Sequence, residues 1–216
     1  MDKDEDPYLE KYYSLNIDNG KIVALTPENA HHSVTFSHDY AYMFDSYSRV
    51  DLPPTLVVRS VEEGGKVIYK PDLQPDISAV KAVGWQQPEV FSAKGRDGKT
   101  DIWGMIVRPS NFDSSKKYPV IEYIYAGPHD SHVPKRFAIE HRYTSAIAEL
   151  GFIFVMIDGM GTANRSKAFH DVCWKNLKDA GFPDRIAWIK AAAAKYPEMN
   201  IDNMGIYGMS AGGQST

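Results

Sequence analysis

The residues best suited to chemistry in this chain are the five at Gly208-Met209-Ser210-Ala211-Gly212. A G-x-S-x-G entered from Met204-Gly205-Ile206-Tyr207 reads as a strand that turns sharply into a helix. Such a turn lifts the serine hydroxyl clear of the sheet, and glycines tolerate the crowding it creates. The chemistry this allows is nucleophilic attack on an acyl carbon, with Ser210 as the nucleophile. Attack places charge on the carbonyl oxygen, and two donors must receive it. The backbone N–H of Ala211 is one; the loop that opens Tyr125-Ala126-Gly127-Pro128 after the third strand supplies the other. The competing interpretation is an ordinary Gly-Ser turn with an idle hydroxyl.

A serine hydroxyl also needs a base. On α/β-hydrolases the triad runs Ser, then Asp or Glu, then His along the chain. His31, His32, His38, His129, His132, His141 and His170 all precede Ser210, and residues 211–216 include neither an acid nor a histidine. The expectation is a fragment that carries the nucleophile without its activators and is inactive alone.

The elements that must hold these residues fall into two regions. Residues 1–78 read as short strands and turns. Tyr12–Ile17 and Lys21–Leu25 flank Asp18-Asn19-Gly20, Val34–Phe36 and Tyr40–Phe44 flank His38-Asp39, and Thr55–Arg59 and Lys66–Tyr69 flank Glu63-Gly64-Gly65. This spacing suits antiparallel blades of a β-propeller, incomplete here, with a small free-standing β-domain as the alternative. Residues 79–216 alternate strands and helices. Glu89–Ala93 and Asp101–Val107 form a hairpin, and Pro119–Tyr125 and Phe152–Ile157 are strands buried on both faces. Helices are expected over residues 136–150, with Phe137, Ile139, Tyr143, Ile147 and Leu150 as core positions, and over residues 183–196, with Ile186, Ile189 and Ala193 toward the sheet. The fold class is α/β: the first half of an α/β-hydrolase parallel sheet, preceded by antiparallel propeller strands.

Composition is that of a globular protein: 216 residues, 43% hydrophobic and 24% charged. A net charge of −4 gives no nucleic-acid or membrane-surface signature. The one cysteine, Cys173, excludes an internal disulfide. No apolar run approaches the roughly 20 residues of a membrane span. No cofactor or metal is called for, and the compartment is not encoded in these residues.

Three motifs in this order, Tyr125-Ala126-Gly127-Pro128, Asp158-Gly159-Met160-Gly161 and Gly208-Met209-Ser210-Ala211-Gly212-Gly213, resemble the prolyl oligopeptidase family of serine peptidases. The resemblance is closest to its dipeptidyl peptidase IV branch and runs from Asp39–Pro54, with Asp51-Leu52-Pro53-Pro54, to the last residue. It implies an acyl-enzyme on Ser210, peptide substrates and an oxyanion donor in the phenol of Tyr125, a residue that would otherwise read as a core aromatic. It implies for Asp158 an ordering role in the loop beside the serine, leaves Arg165 and His170 outside the site, and leaves open a homodimer of the parent protein. Met209 and Ala211 stand where that branch has Trp and Tyr, and Met160 where the family has Arg. Glu62 and Glu63 lie in a turn and read as solvated acids rather than a substrate-amine clamp. An esterase on the same fold and a non-catalytic binding protein are the alternatives.

Overall fold

The computed structural model describes residues 5–73, 75–178 and 180–216. Two compact units are present: Met1–Ile77 with Lys135–Ala138, and Ser78–Pro134 with Ile139–Thr216.

In the first unit, β1 (Tyr13–Leu15) and β2 (Ile22–Ala24) form a small antiparallel hairpin. Four longer strands follow: β3 (His31–Phe36), β4 (Tyr42–Arg49), β5 (Leu52–Ser60) and β6 (Lys66–Tyr69), ordered β3-β4-β5-β6 and antiparallel throughout. This is the up-and-down sheet of a propeller blade. The alternation of β4 turns Met43 and Asp45 inward while Tyr42 and Phe44 face out. Asp45 therefore sits on a central strand between His32 of β3 and Arg59 of β5, all on one face. Its carboxylate lies 3.0 Å from His32 Nδ1 and accepts from Arg59 Nε at 2.8 Å. A second Arg59 nitrogen donates to Glu28 at 2.7 Å. Glu28, His32 and Asp45 are spaced as metal ligands would be, but the cation that answers both carboxylates is the Arg59 guanidinium.

The second unit is a five-stranded mixed sheet ordered β11-β9-β10-β8-β7. After the short α1 (Ser78–Ala82), β7 (Glu89–Lys94) and β8 (Asp101–Val107) form the predicted hairpin, and β8 pairs antiparallel with β10 (Ile153–Asp158). The strands β9 (Tyr118–Ile124) and β11 (Met199–Gly208) run parallel to β10 and to each other as neighbours in the sheet. Every residue of β10 is buried, as the uninterrupted apolar run required. Packing against the sheet, α4 (Phe182–Lys195) starts with Pro183 in its first turn and buries Trp188, Ile189 and Ala192 beside Ile102, Val120 and Val155. The short helices α2 (Thr144–Ala148), α3 (Lys167–His170) and α5 (Ala211–Ser215) complete the unit. Among the described residues no helix is long and apolar enough to cross a membrane.

Two expectations fail. The helix predicted over residues 136–150 shrinks to α2, because Arg142 and Tyr143 take φ 54° and 67°, a left-handed pair that a right-handed helix cannot run through. Upstream, residues 135–138 are claimed by the first unit instead: Lys135 pairs with Asp6 at 2.7 Å and the Phe137 N–H donates to Ser48. Ile139, Tyr143 and Leu150, expected in the core, are exposed. On α4 the apolar stripe is rotated from the predicted one: Ile186 is exposed, and Asp184 and Arg185 are buried in its stead as members of ion pairs.

Candidate active site

Parallel strands end on the same side of a sheet, and that rim is where open α/β sheets bind ligands. All three motifs leave from it: Tyr125 follows β9, Asp158 ends β10 and Gly208 ends β11.

The turn after β11 depends on close approach. A Cβ on Gly208 would stand 2.7 Å from the Ile124 carbonyl oxygen and closer still to Gly212. One on Gly212 would strike that carbonyl and come within 3.4 Å of Tyr125 Cα. Glycine at both positions lets the elbow and the end of β9 touch. Between them Ser210 takes φ 56°, ψ −122°, a strained pose for a residue with a side chain. Ser210 is exposed, and its hydroxyl makes no capping bond to α5. Ala211 opens α5, so its N–H has no intrahelical acceptor. The Ala211 methyl lies 3.1 Å from where a Gly127 side chain would begin. Ser210, Ala211 and the Tyr125–Gly127 loop are thus adjoining segments.

The loop after β9 is tied down from the β10 side. Buried Asp158 accepts the N–H of His132 at 2.8 Å and that of Val133 at 2.9 Å. Asn164 donates its amide to Asp130 and Ser131, each at 2.9 Å, and His170 Nε2 lies 2.8 Å from the Pro128 carbonyl oxygen. Asp158 therefore orders this loop, and both its oxygens are engaged by backbone. Arg165 donates to the Asp101 carbonyl.

Tyr125 is half-buried and boxed by imidazoles. Its phenol oxygen lies 2.6 Å from His129 Nε2, and the His132 ring stacks on its face at 4.5 Å and 19°. Burial, helped by the charges of Arg142 and Arg185, pushes the His132 imidazole down to about 4, so this ring is neutral at pH 7. Beneath, buried Arg185 pairs with Glu122 and reaches the Tyr125 carbonyl at 3.4 Å.

His129, His132, Glu122 and Arg185 are the neighbours that sequence reasoning misses. Chain order sets the two histidines aside because they precede Ser210. Their signal is their place in the short loop just after Gly127-Pro128. Glu122 and Arg185 carry no local signal, since β9 and α4 meet only in the folded unit.

Residues 138–216 match the model of the prolyl oligopeptidase family, and residues 2–54 that of the dipeptidyl peptidase IV N-terminal region. Over 207 residues the chain is 28% identical to dipeptidyl peptidase 8 of Mus musculus, an alignment covering 94% of this chain and 23% of that protein. The chain thus spans less than a quarter of this relative's length. A crystal structure of a protein assigned as a dipeptidyl aminopeptidase IV from Bacteroides ovatus has a TM-score of 0.79 and 29% identity, covering 94% of this chain and 29% of that one. That of Porphyromonas gingivalis dipeptidyl peptidase 4 has a TM-score of 0.75 and 23% identity over 99% and 30%, a likeness of fold.

Proposed function

Since this chain belongs to the prolyl oligopeptidase family, with relatives of dipeptidyl peptidase IV type, we propose that it carries the nucleophile and the oxyanion donors of a serine peptidase. The observation that carries this proposal is the strained, exposed Ser210 on a glycine-built elbow fitted against the end of β9. Ser210 Oγ attacks the carbonyl carbon of a peptide bond. The electron pair of the C=O moves onto oxygen, where the Ala211 N–H and the Tyr125 phenol donate to it. Collapse expels the amine and leaves an acyl-enzyme on Ser210, which water then hydrolyses.

The Ser210 proton must pass to a general base and on to the leaving amine. His129 and His170, in or against the loop after β9, are bonded to Tyr125 and Pro128. In this proposal the base of the full-length protein is a histidine that follows the serine, as chain order on this fold requires. Residues 1–78 and 79–216 are assigned to propeller and hydrolase domains. Peptides are the substrate class, with dipeptide release carried over from the relatives' names.

The test is covalent labelling of the full-length protein with a fluorophosphonate, followed by mapping of the modified peptide. Label on Ser210, lost together with hydrolysis of a dipeptide reporter in Ser210→Ala, is the expected result. Label elsewhere, or turnover that survives Ser210→Ala, overturns the assignment.

A further inference from the structure

Among the described residues, the Tyr125 hydroxyl has a single hydrogen-bond partner, His129 Nε2, at 2.6 Å. The two rings meet edge-on, at 81° and 5.3 Å. The imidazole is seated against Gly127: a Cβ there would lie 2.6 Å from His129 Cε1 and 3.0 Å from Nδ1. Only glycine at 127 leaves the ring this place. On the far side His132 covers the Tyr125 face without bonding its oxygen, since His132 Nε2 has no hydrogen-bond partner among the described residues.

A phenol has one proton. If His129 Nε2 is bare, it accepts that proton and the donor is spent. If Nε2 carries hydrogen, it donates to the phenol oxygen and the phenolic proton is left to point elsewhere. Resting on the assignment of Tyr125 as an oxyanion donor, we propose that His129 is a positioning residue: its Nε2–H holds the Tyr125 oxygen and frees the phenolic proton for the oxyanion formed at Ser210. A hydrogen bond received by the phenol oxygen also polarises its O–H, which strengthens the donor. Gly127 then has two tasks, admitting Ala211 on one side and the His129 ring on the other.

The experiment compares two amides in the full-length protein that carries this sequence. His129→Gln places an amide nitrogen at the reach of Nε2; His129→Asn reaches only as far as Nδ1. His129→Gln should keep kcat within about twofold, and His129→Asn should lose roughly three- to tenfold in kcat at unchanged KM, the worth of one net hydrogen bond. In a Tyr125→Phe background neither substitution should slow the enzyme further, because the group they act through is gone. Equal rates for the two amides, or a His129→Asn loss that persists beside Tyr125→Phe, would remove His129 from this role and leave Tyr125 in place. A Tyr125→Phe enzyme at full rate would remove the oxyanion assignment itself.

Discussion

A Cβ on Gly212 would run into the carbonyl oxygen of Ile124, so the serine turn and the end of β9 are fitted at atomic contact. Gly212→Ala must push them apart, and the expected cost is about 1–3 kcal/mol, as for other overpacked sites. In the full-length protein, the fluorophosphonate labelling proposed for Ser210 should fall with it. Gly213 is the control, since a Cβ there meets nothing nearer than 3.5 Å. Denaturant midpoints and labelling yields for Gly212→Ala and Gly213→Ala check both statements; equal midpoints would contradict the steric account.

Tyr125→Phe keeps the ring that stacks on His132 and removes only the hydroxyl. On the oxyanion role proposed above, this loss in the full-length protein should fall on the transition state: kcat down by roughly 10²-fold with KM little changed. The melting temperature should hardly move, because the packed area is retained. Steady-state kinetics beside a thermal melt separate this from a core role, in which stability would drop and kcat would survive.

Asp45 is fully buried between His32 and Arg59. Asp45→Ala strands the Arg59 guanidinium, itself 2% exposed, with only part of its partners. Breaking a buried pair by removing one member costs about 3–5 kcal/mol. Lys66→Ala breaks the solvent-exposed Lys66–Glu63 pair, and its cost should lie near zero. Urea melts of the two variants should differ accordingly; similar midpoints would mean that water reaches the cluster.

His132 gives a pH dependence with a definite sign. Its folded pKa of about 4 lies below the ordinary 6.5, chiefly through burial, so between those values the unfolded chain binds more protons than the folded one. This contribution to stability is complete above pH 6.5 and is lost as pH falls toward 4. His31 and His141, also lowered by burial, act in the same direction. An NMR titration should leave the His132 ring neutral at pH 5.5, and His132→Phe should flatten the stability profile between pH 6.5 and 4. A ring that titrates near 6.5 would contradict the burial argument.

What the sequence discloses and what it hides divide along a physical line. Hairpins are legible because turn residues are local, as around Asn19-Gly20; the strand expected at Tyr40–Phe44 meets β4 only over the first three residues of β4, which runs on to Arg49. The elbow was legible because the crowding at Gly208 and Gly212 leaves glycine as the only fit. The helix expected over residues 136–150 fails because its apolar spacing says nothing of Lys135–Ala138 joining the first unit, nor of the left-handed pair that follows. Ile186 departs from expectation for a similar reason: ion pairs at buried Asp184 and Arg185 turn α4 to a face that hydrophobicity alone would reject. The His129–Tyr125 bond spans only four residues, yet no periodicity marks it, because it exists through the ring's seat on Gly127.

The strand that ends in the elbow sits at one side of the sheet, and among the described residues its strand partner is β9. Joining the two requires a long stretch of chain, including β10 and α4, to be gathered first. Bringing together strands so far apart in the chain costs more chain entropy than closing a hairpin such as β7–β8. The strained pose of Ser210 is held by the contact of Gly208 and Gly212 with the end of β9, so it depends on that pairing. An unfolded chain presents an ordinary serine, and the backbone pose that sets Ser210 apart comes only with its own sheet.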